Sequence, residues 1–326
     1  MKILLTGASG FIGTNLINRL TELHPRPLLL NLDLKEPNIE AHRPFWRRHD
    51  VMDRDETVKA VREFEPTHVI HMCARTDPDG ASLNDYAVNT EGTASLIDAI
   101  KAFGGVKHSI FFSTQYVVRP GPLPTSDREY RPVNYYGESK SLMEEMIRDD
   151  QGLPGAWTIV RPTNIWGPWH PRYAQEFWLV VKKGRYVHPA GNPVRRAYGY
   201  VGNVVEYVCR ILNSPLEHVD RKTYYLGDPV NDIKVWVSAF SQAFIGRGPR
   251  LVPRPVLRSI ALVGDAIRLA GGTFPLFTAR YISMTQEYEV DMAPTFSALG
   301  PPRYGLEEGV RITVDWLKTK GSPWID

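Results

Sequence analysis

The sequence predicts an α/β fold: a doubly wound parallel sheet, with a smaller α/β domain built onto it towards the C-terminal end. Three observations predict it. Apolar runs of strand length alternate with helix-period segments over residues 1–165. The first strand turns into the first helix through three glycines. A later run, His68–Ala74, is apolar for long enough to be buried on both faces, as strands of a parallel sheet are.

The first strand, Met1–Leu5, leads into Thr6-Gly7-Ala8-Ser9-Gly10-Phe11-Ile12-Gly13 and then a helical segment, Thr14–Leu20. A strand that turns through glycines into a helix aims several backbone N–H groups and a positive dipole end at one spot, which suits a pyrophosphate. Gly7 permits the tight turn, Gly10 lets the backbone approach phosphates closely, and Gly13 lets helix and strand pack together. The glycines are spaced three and three, against two and three in the commoner dinucleotide fingerprint. Pro27–Asp33 reads as the second strand, with Asp33 standing 20 residues beyond Gly13, where a carboxylate binds the ribose 2′-hydroxyl of NAD and repels a 2′-phosphate. Lys35 nearby keeps NADP open as an alternative.

A third strand is expected within Phe45–Asp53, ending near His49-Asp50-Val51, followed by a helix over Val58–Phe64. The fourth strand, His68–Ala74, precedes a polar loop, Arg75–Gly80, and a helix from about Asn84 to Phe103. That helix carries Asn89 and Gly92 in its early turns, where both weaken a helix and so suggest close packing or a backbone hydrogen bond. The fifth strand, Ser109–Thr114, runs into Gln115-Tyr116-Val117. After a Pro-rich loop, Tyr135-Tyr136-Gly137-Glu138-Ser139-Lys140 opens a helix that continues to about Asp149. The sixth strand, Trp157–Arg161, ends in Pro162-Thr163-Asn164-Ile165-Trp166-Gly167-Pro168. Ligands of such sheets bind beyond the carboxyl ends of the strands.

The second half is less regular. Residues 169–195 are rich in aromatic and basic side chains, and a helix follows over Val204–Leu212. Pro255–Leu269 is moderately amphipathic and reads as a domain-packing helix, with a membrane-surface helix as its alternative. Leu306–Leu317 is the final helix. The expected division is a dinucleotide-binding domain over 1–165 plus about 196–213, and a substrate-binding domain over 166–195 and 214–326.

Composition narrows the function. Among 326 residues, 39 basic and 36 acidic side chains give a net charge of +3 without basic clusters, which argues against a nucleic-acid partner. The two cysteines, Cys73 and Cys209, lie in apolar runs and indicate neither a disulfide framework nor a metal site. A first strand starting at Lys2 leaves no room for a signal peptide, and no apolar run reaches the roughly 20 residues of a membrane span, so a cytoplasmic enzyme is expected.

Tyr136 and Lys140 are four residues apart and share one face of a helix. A tyrosine phenol titrates near pH 10, and bringing it to about 7 requires about 4 kcal/mol of differential stabilisation. A lysine ammonium held close by supplies much of that. Thr114, at the rim end of the fifth strand, is placed to hydrogen-bond the same substrate hydroxyl.

Six landmarks in order carry a resemblance: the TGASGFIG turn, Val69-Ile70-His71, Asn89-Thr90-Glu91-Gly92-Thr93, the YYGESK segment, RPTNIWGP, and Arg196 with Tyr200-Val201. The chain resembles an extended short-chain dehydrogenase/reductase with a Rossmann-type sheet, of the NAD-dependent epimerase/dehydratase type that acts on nucleotide sugars. The likeness covers essentially the whole chain and is strong to about residue 205. It implies bound NAD, with Gly7, Gly10, Phe11, Ile12 and Gly13 at the pyrophosphate, Asp33 at the adenosine ribose, and Asp50 and Val51 at the adenine. It implies Cys73, Ala74 and Asn89 on the nicotinamide side. Tyr136 would be the base, Lys140 would bind the nicotinamide ribose and tune the tyrosine, and Thr114 would orient the substrate. Gln115 and Tyr116 would adjoin the substrate, and Asn164 and Arg196 match positions that hold its diphosphate. Related 4,6-dehydratases carry Asp-Glu where this chain has Gln115-Tyr116, which cannot do that proton work. The expected reaction is therefore epimerisation through a transient keto-sugar, with a net-redox reductase or dehydrogenase as the alternative. The resemblance also implies a homodimer formed through the helices near 84–103 and 136–150, with Leu96, Ile100, Leu142, Met143 and Met146 as contacts.

Overall fold

The computed structural model describes residues 1–173 and 177–319. Two compact units compose it: residues 1–165, 199–228 and 291–303 form the first, and the remaining described residues form the second.

In the first unit, β1 (Lys2–Thr6), β2 (Leu28–Asp33), β3 (Trp46–Arg48), β4 (His68–His71), β5 (His108–Phe112) and β6 (Ala156–Pro162) join an edge strand, Lys222–Leu226, in one seven-stranded sheet. The order across it is Lys222–Leu226, β6, β5, β4, β1, β2, β3, and every pairing is parallel. Strand order reverses between β1 and β4, and sheets of this kind bind ligands beyond the carboxyl ends of their strands at such a switch point. The helices α1 (Phe11–Thr21), α2 (Arg54–Phe64), α3 (Ala87–Phe103) and α4 (Tyr135–Asp149) make the crossovers. Their starts and stops follow local chemistry: Asp53 caps α2 by accepting from the Glu56 N–H at 3.1 Å, and Gly104 ends α3 at φ +75°. One core layer gathers Leu4, Leu32, Val51, Val61, Val69, Leu96 and Ile100. Another gathers Ile97, Phe111, Met143, Ile147, Trp157 and Ile159.

Several expectations shift. Strand β4 stops at His71, and the chain just beyond it passes so close to Gly7 that an added Cβ there would stand 2.6 Å from the Cys73 backbone. Strand β3 covers only Trp46–Arg48, leaving His49–Val51 in the loop beyond, and α3 starts at Ala87 after a short 3-10 turn, Leu83–Tyr86. The segments 214–228 and 291–303, expected in the second domain, lie in the first unit, the former because Lys222–Leu226 pairs with β6 and finishes the sheet; residues 196–198, expected in the first domain, lie in the second unit. The dimer contacts also need correction. Leu96, Ile100 and Met143 are fully buried in the chain's own core and have no surface to offer a partner. Of that set Leu142 is exposed and Met146 is half-buried.

The second unit is organised by aromatic stacking more than by sheet. Trp236 lies between Phe177 and Tyr198, each with ring centroids 4.6 Å away and nearly parallel, and Phe240 and Trp166 meet it edge-on. Two short ladders, Val187–Pro189 with Arg250–Val252 and Arg195–Arg196 with Asn231–Asp232, accompany the helices Ile233–Ile245, Arg254–Leu269, Thr278–Thr285 and Leu306–Thr319.

A buried ion pair binds α4 to the sheet of the first unit. Arg161 on β6 donates through Nε to Glu144 Oε1 at 2.8 Å and through Nη2 to Oε2 at 2.7 Å, with both side chains within 1 % of full burial. Removing one partner strands the other charge away from water, which typically costs about 3–5 kcal/mol. Glu144→Ala should therefore lower stability by about that amount in urea unfolding. The double change Glu144→Leu with Arg161→Met should cost much less than the sum of the two single losses.

Candidate active site

The turn after β1 is a backbone cradle. At Gly7, φ is +73° and an added Cβ would stand 2.6 Å from the backbone N and Cα of Cys73, so only glycine fits. At Gly13 an added Cβ would stand 2.3 Å from Ala8 Cα, which is why α1 can pass so close to its own turn. Gly10 is the N-cap of α1; no side chain caps the helix there and its first turn carries no acidic residue. The helix carries no anionic side chain in its own first turn, so its positive dipole end and the close backbone approach at Gly10 suit a pyrophosphate.

The cradle is braced from β2. Asn31 Oδ1 accepts from Ala8 N at 3.0 Å, and its Nδ2 donates to Ser9 Oγ at 3.1 Å. Asp33, at the end of the strand, accepts from Ser9 N and from Lys35 N, both at 2.9 Å, which fixes its carboxylate beside the turn. The His49 N–H donates to the Asp33 carbonyl at 3.2 Å, so Asp50 and Val51 follow directly beside it. Asp50 is exposed and takes the Met52 N–H; Val51 is buried against Gly92, where an added Cβ would meet Val51 Cγ1 at 2.8 Å. That contact accounts for the glycine inside α3.

After β4, Thr6 Oγ1 and His71 Nδ1 share a 2.7 Å hydrogen bond, and His71 Nε2 reaches Thr93 Oγ1 at 2.9 Å. Burial, helped by the Lys140 charge, pushes the imidazole down to about 3, so it stays neutral. Burial pushes the Cys73 thiol up to about 11, which keeps it a thiol. Ala74 follows, half-buried. Asn89 makes the backbone hydrogen bonds that its place in the helix suggests. Its amide donates to the Arg75 carbonyl and to Ser139 Oγ and accepts from the Arg75 N–H, at 2.8–3.0 Å, so it ties the loop after β4 to α4.

Past β5 the site's reactive groups gather. Thr114 is buried and caps the short turn Gln115–Val117, its Oγ1 accepting from Tyr116 N at 3.3 Å. Gln115 is buried and Tyr116 half-buried. Asn134 caps α4 by accepting from Gly137 N at 2.9 Å. Gly137 allows a close approach: an added Cβ would lie 2.2 Å from the Tyr116 carbonyl oxygen. Helix and turn therefore touch backbone to backbone, and Tyr136 stands edge-on to Tyr116 at 6.3 Å between ring centroids. Ser139 Oγ donates to the Tyr136 carbonyl at 2.8 Å. Lys140, one turn on, is buried and donates through Nζ to the Phe112 carbonyl at 2.8 Å, two residues before Thr114. Thr114 thus stands on the short turn after β5, and Tyr136 and Lys140 stand on the first turns of the helix that packs against that turn.

Asn164 lies just beyond β6, half-buried, in a short strand Asn164–Trp166. Arg196 belongs to the second unit, where Nη1 donates to the Ser283 carbonyl and the guanidinium lies 6.0 Å from the Tyr288 ring; its neighbour Arg195 pairs with Glu289 at 2.8 Å. The sequence gives little sign of the roles of Asn31, His71 and Glu144. Asn31 is a lone polar residue in an apolar run, whereas His71 shares its run with His68 and Glu144 shares its helix face with Lys140, Ser141 and Arg148.

Burial pushes the Lys140 ammonium down to about 8, against the opposing pull of Cys73 and Glu144. An unfolded lysine titrates near 10.4, so the fold disfavours the charged form. The penalty is full below pH 8 and fades as pH rises from 8 through 10.4. Comparing wild type with Lys140→Met by urea unfolding across pH should therefore show the wild type gaining ground between pH 8 and 10, by up to about 1.4 kcal/mol per unit. A pH-independent difference would contradict the buried charge.

The profile described as the NAD dependent epimerase/dehydratase family matches residues 3–227. The sterol-4-alpha-carboxylate 3-dehydrogenase, decarboxylating, of Saccharomyces cerevisiae is 23% identical over 97% of each chain. The N-acetyl-alpha-D-glucosaminyl-diphospho-ditrans,octacis-undecaprenol 4-epimerase of Escherichia coli O157:H7 is 28% identical over 64% of this chain and 62% of its own. The crystal structure of the Thermus thermophilus UDP-glucose 4-epimerase complex with NAD shares the fold, with a TM-score of 0.71, 24% identity, and coverage of 98% of this chain and 100% of that one. The matched span holds the glycine cradle, Asp33 and the Thr114–Tyr136–Lys140 set together, and the chain belongs to the NAD dependent epimerase/dehydratase family.

Proposed function

We propose that this enzyme is a nucleotide-sugar epimerase that oxidises a ring carbinol to a transient ketone and reduces it again from the opposite face. The observation that supports this most is the gathering of Thr114, Tyr136 and Lys140 at the end of β5, on the sheet whose β1 turn forms the glycine cradle. NAD, when bound, supplies the hydride acceptor and donor. Gly7, Gly10, Phe11, Ile12 and Gly13 hold its pyrophosphate, Asp33 its adenosine ribose, Asp50 and Val51 its adenine, and Cys73 and Ala74 border the nicotinamide. Tyr136, as phenolate, takes the hydroxyl proton while Thr114 orients that hydroxyl. Lys140 lowers the phenol pKa and binds the nicotinamide ribose. In the return step Tyr136 gives the proton back. Asn164 meets the substrate diphosphate, and Gln115 and Tyr116 border the sugar. Neither of those two carries a carboxylate, so water elimination has no acid-base pair there.

A second reading is a net-redox dehydrogenase acting on a less polar ring alcohol. The yeast sterol dehydrogenase, aligned over nearly the full length of both chains, favours it, as does the uncharged Tyr116 beside Tyr136.

Tyr136→Phe keeps the ring and should leave NAD affinity intact while lowering kcat by at least about 10²–10⁴-fold, the usual contribution of general-base catalysis. Full activity in that variant would refute the mechanism. With UDP-, GDP- or CDP-sugars deuterated at the reacting carbon, an epimerase retains the label in the product and shows no net change at the reduced-nicotinamide absorbance. Reduced cofactor formed in proportion to product would favour the dehydrogenase and leave Tyr136 and Lys140 in their roles.

Calorimetric titration should show NAD(H) binding more tightly than NADP(H), because the Asp33 carboxylate beside the cradle repels a 2′-phosphate. Asp33→Ala should narrow that gap. A clear NADP preference in the wild type would remove Asp33 from the ribose site.

A further inference from the structure

The helix Arg254–Leu269 of the second unit is apolar on both sides. Its inward face is Leu257, Ala261 and Gly264, the last so tightly placed that an added Cβ would stand 2.0 Å from the Leu276 carbonyl oxygen. At about 100° per residue, the outward arc carries Val256, Ile260, Leu262, Val263 and Leu269, and only Ser259 and Arg258 interrupt it with polar groups. Leu262 and Val263 are 58% and 57% exposed, and Leu269 is 90% exposed. A surface helix of a globular protein normally turns charge outward at these positions. Contiguous exposed apolar surface of this kind marks an interaction site.

The surrounding charge says what the partner is. From 246 to 286 the chain has six arginines, at 247, 250, 254, 258, 268 and 280, against one acid, Asp265. Asp265 is held locally by the Thr278 backbone N–H and hydroxyl. Lys182, Lys183 and Arg185 add to the same field, since Gly184 adjoins the Arg247 guanidinium, and no acid occurs from Phe177 to Arg196. Nucleic acid would be matched by the arginines but not by five outward aliphatic side chains. A bilayer with anionic headgroups matches both: acyl chains take the aliphatic arc, and phosphates take the arginines. Among the described residues no helix is long and apolar enough to cross a membrane, so the contact is with the surface.

We propose that the helix Arg254–Leu269 docks this enzyme on an anionic lipid surface, with Val256, Ile260, Leu262, Val263 and Leu269 entering the headgroup–acyl boundary and the flanking arginines on the phosphates. The proposal is independent of which alcohol the active site oxidises.

The test is sedimentation of the full chain with vesicles of phosphatidylcholine and phosphatidylglycerol, beside vesicles of phosphatidylcholine alone. The protein should sediment with the anionic vesicles, less so as salt rises. Leu262→Glu with Val263→Glu should abolish binding while leaving circular dichroism, NAD affinity and the melting temperature unchanged, because both side chains face solvent. Arg258→Glu should weaken binding by about fivefold or more, the effect of losing one basic residue at such a surface. If the double variant misfolds, Val263→Trp serves instead: its fluorescence should shift to the blue on adding anionic vesicles. Wild-type protein left in the supernatant with both vesicle types would overturn the proposal, as would an unshifted Val263→Trp emission. So would binding to neutral vesicles as tight as to anionic ones. A light-scattering mass of two chains that reverts to one in Leu262→Glu with Val263→Glu, without vesicle binding, would assign the face to a second copy and overturn it equally.

Discussion

The carboxylate of Glu144 sets the position of helix α4, and with it the reactive groups. A charge taken out of water is tolerated only when paired and hydrogen-bonded on every side. Here Arg161 grips it from β6, Ser113 donates from the end of β5 at 2.5 Å, Tyr130 donates from the preceding loop at 3.2 Å, and Arg148 adds a contact from the same helix at 3.3 Å. Partners from two strands and a loop admit one height and one rotation of the helix. Tyr136 and Lys140 lie earlier on that helix, so the same constraint turns them to the end of β5. Gly137 then lets the helix close onto the turn carrying Thr114. The ion pair does no chemistry of its own; it holds the geometry in which the chemistry is done.

Much of the first unit was legible in the sequence because its signals are local. Strand runs, the glycine turn and the Tyr136–Lys140 spacing each express a backbone requirement or a helical face within a few residues. What the sequence hid was long-range. Asn31 meets Ala8, His71 meets Thr6 and Thr93, and Glu144 meets Arg161, over separations from 17 to 65 residues, which no periodicity records. Asn89 is a residue that a helix does not choose without reason. Its reason is to clamp a loop, which only the partners' positions reveal. Lys222–Leu226 escaped because five residues after a long excursion look like any short apolar run; the open edge of β6 makes them a strand. The dimer contacts failed for a related reason, since apolar residues on a crossover helix serve the sheet beneath before they can serve a partner.

The second unit follows another logic. Its centre is a stack of rings around Trp236, and rings at stacking distance tolerate irregular backbone better than a ladder does. Periodicity is accordingly a poor guide there, and the aromatic and basic richness of residues 169–195 was its visible trace.

The first unit is also discontinuous along the chain, being interrupted by 166–198 and again by 229–290. During synthesis the outer edge of β6 stays unpaired until Leu226 has left the ribosome, and the helix Val201–Asn213, whose Glu206 meets Arg19 of α1 at 3.2 Å, arrives only shortly before it. An open apolar strand edge invites pairing with other chains. A nascent chain of this protein thus passes through a stage in which β6 offers an open edge to its neighbours. A gene truncated after the sixth strand would encode that hazard permanently, even though it would retain every residue of the cradle and of the Thr114–Tyr136–Lys140 set.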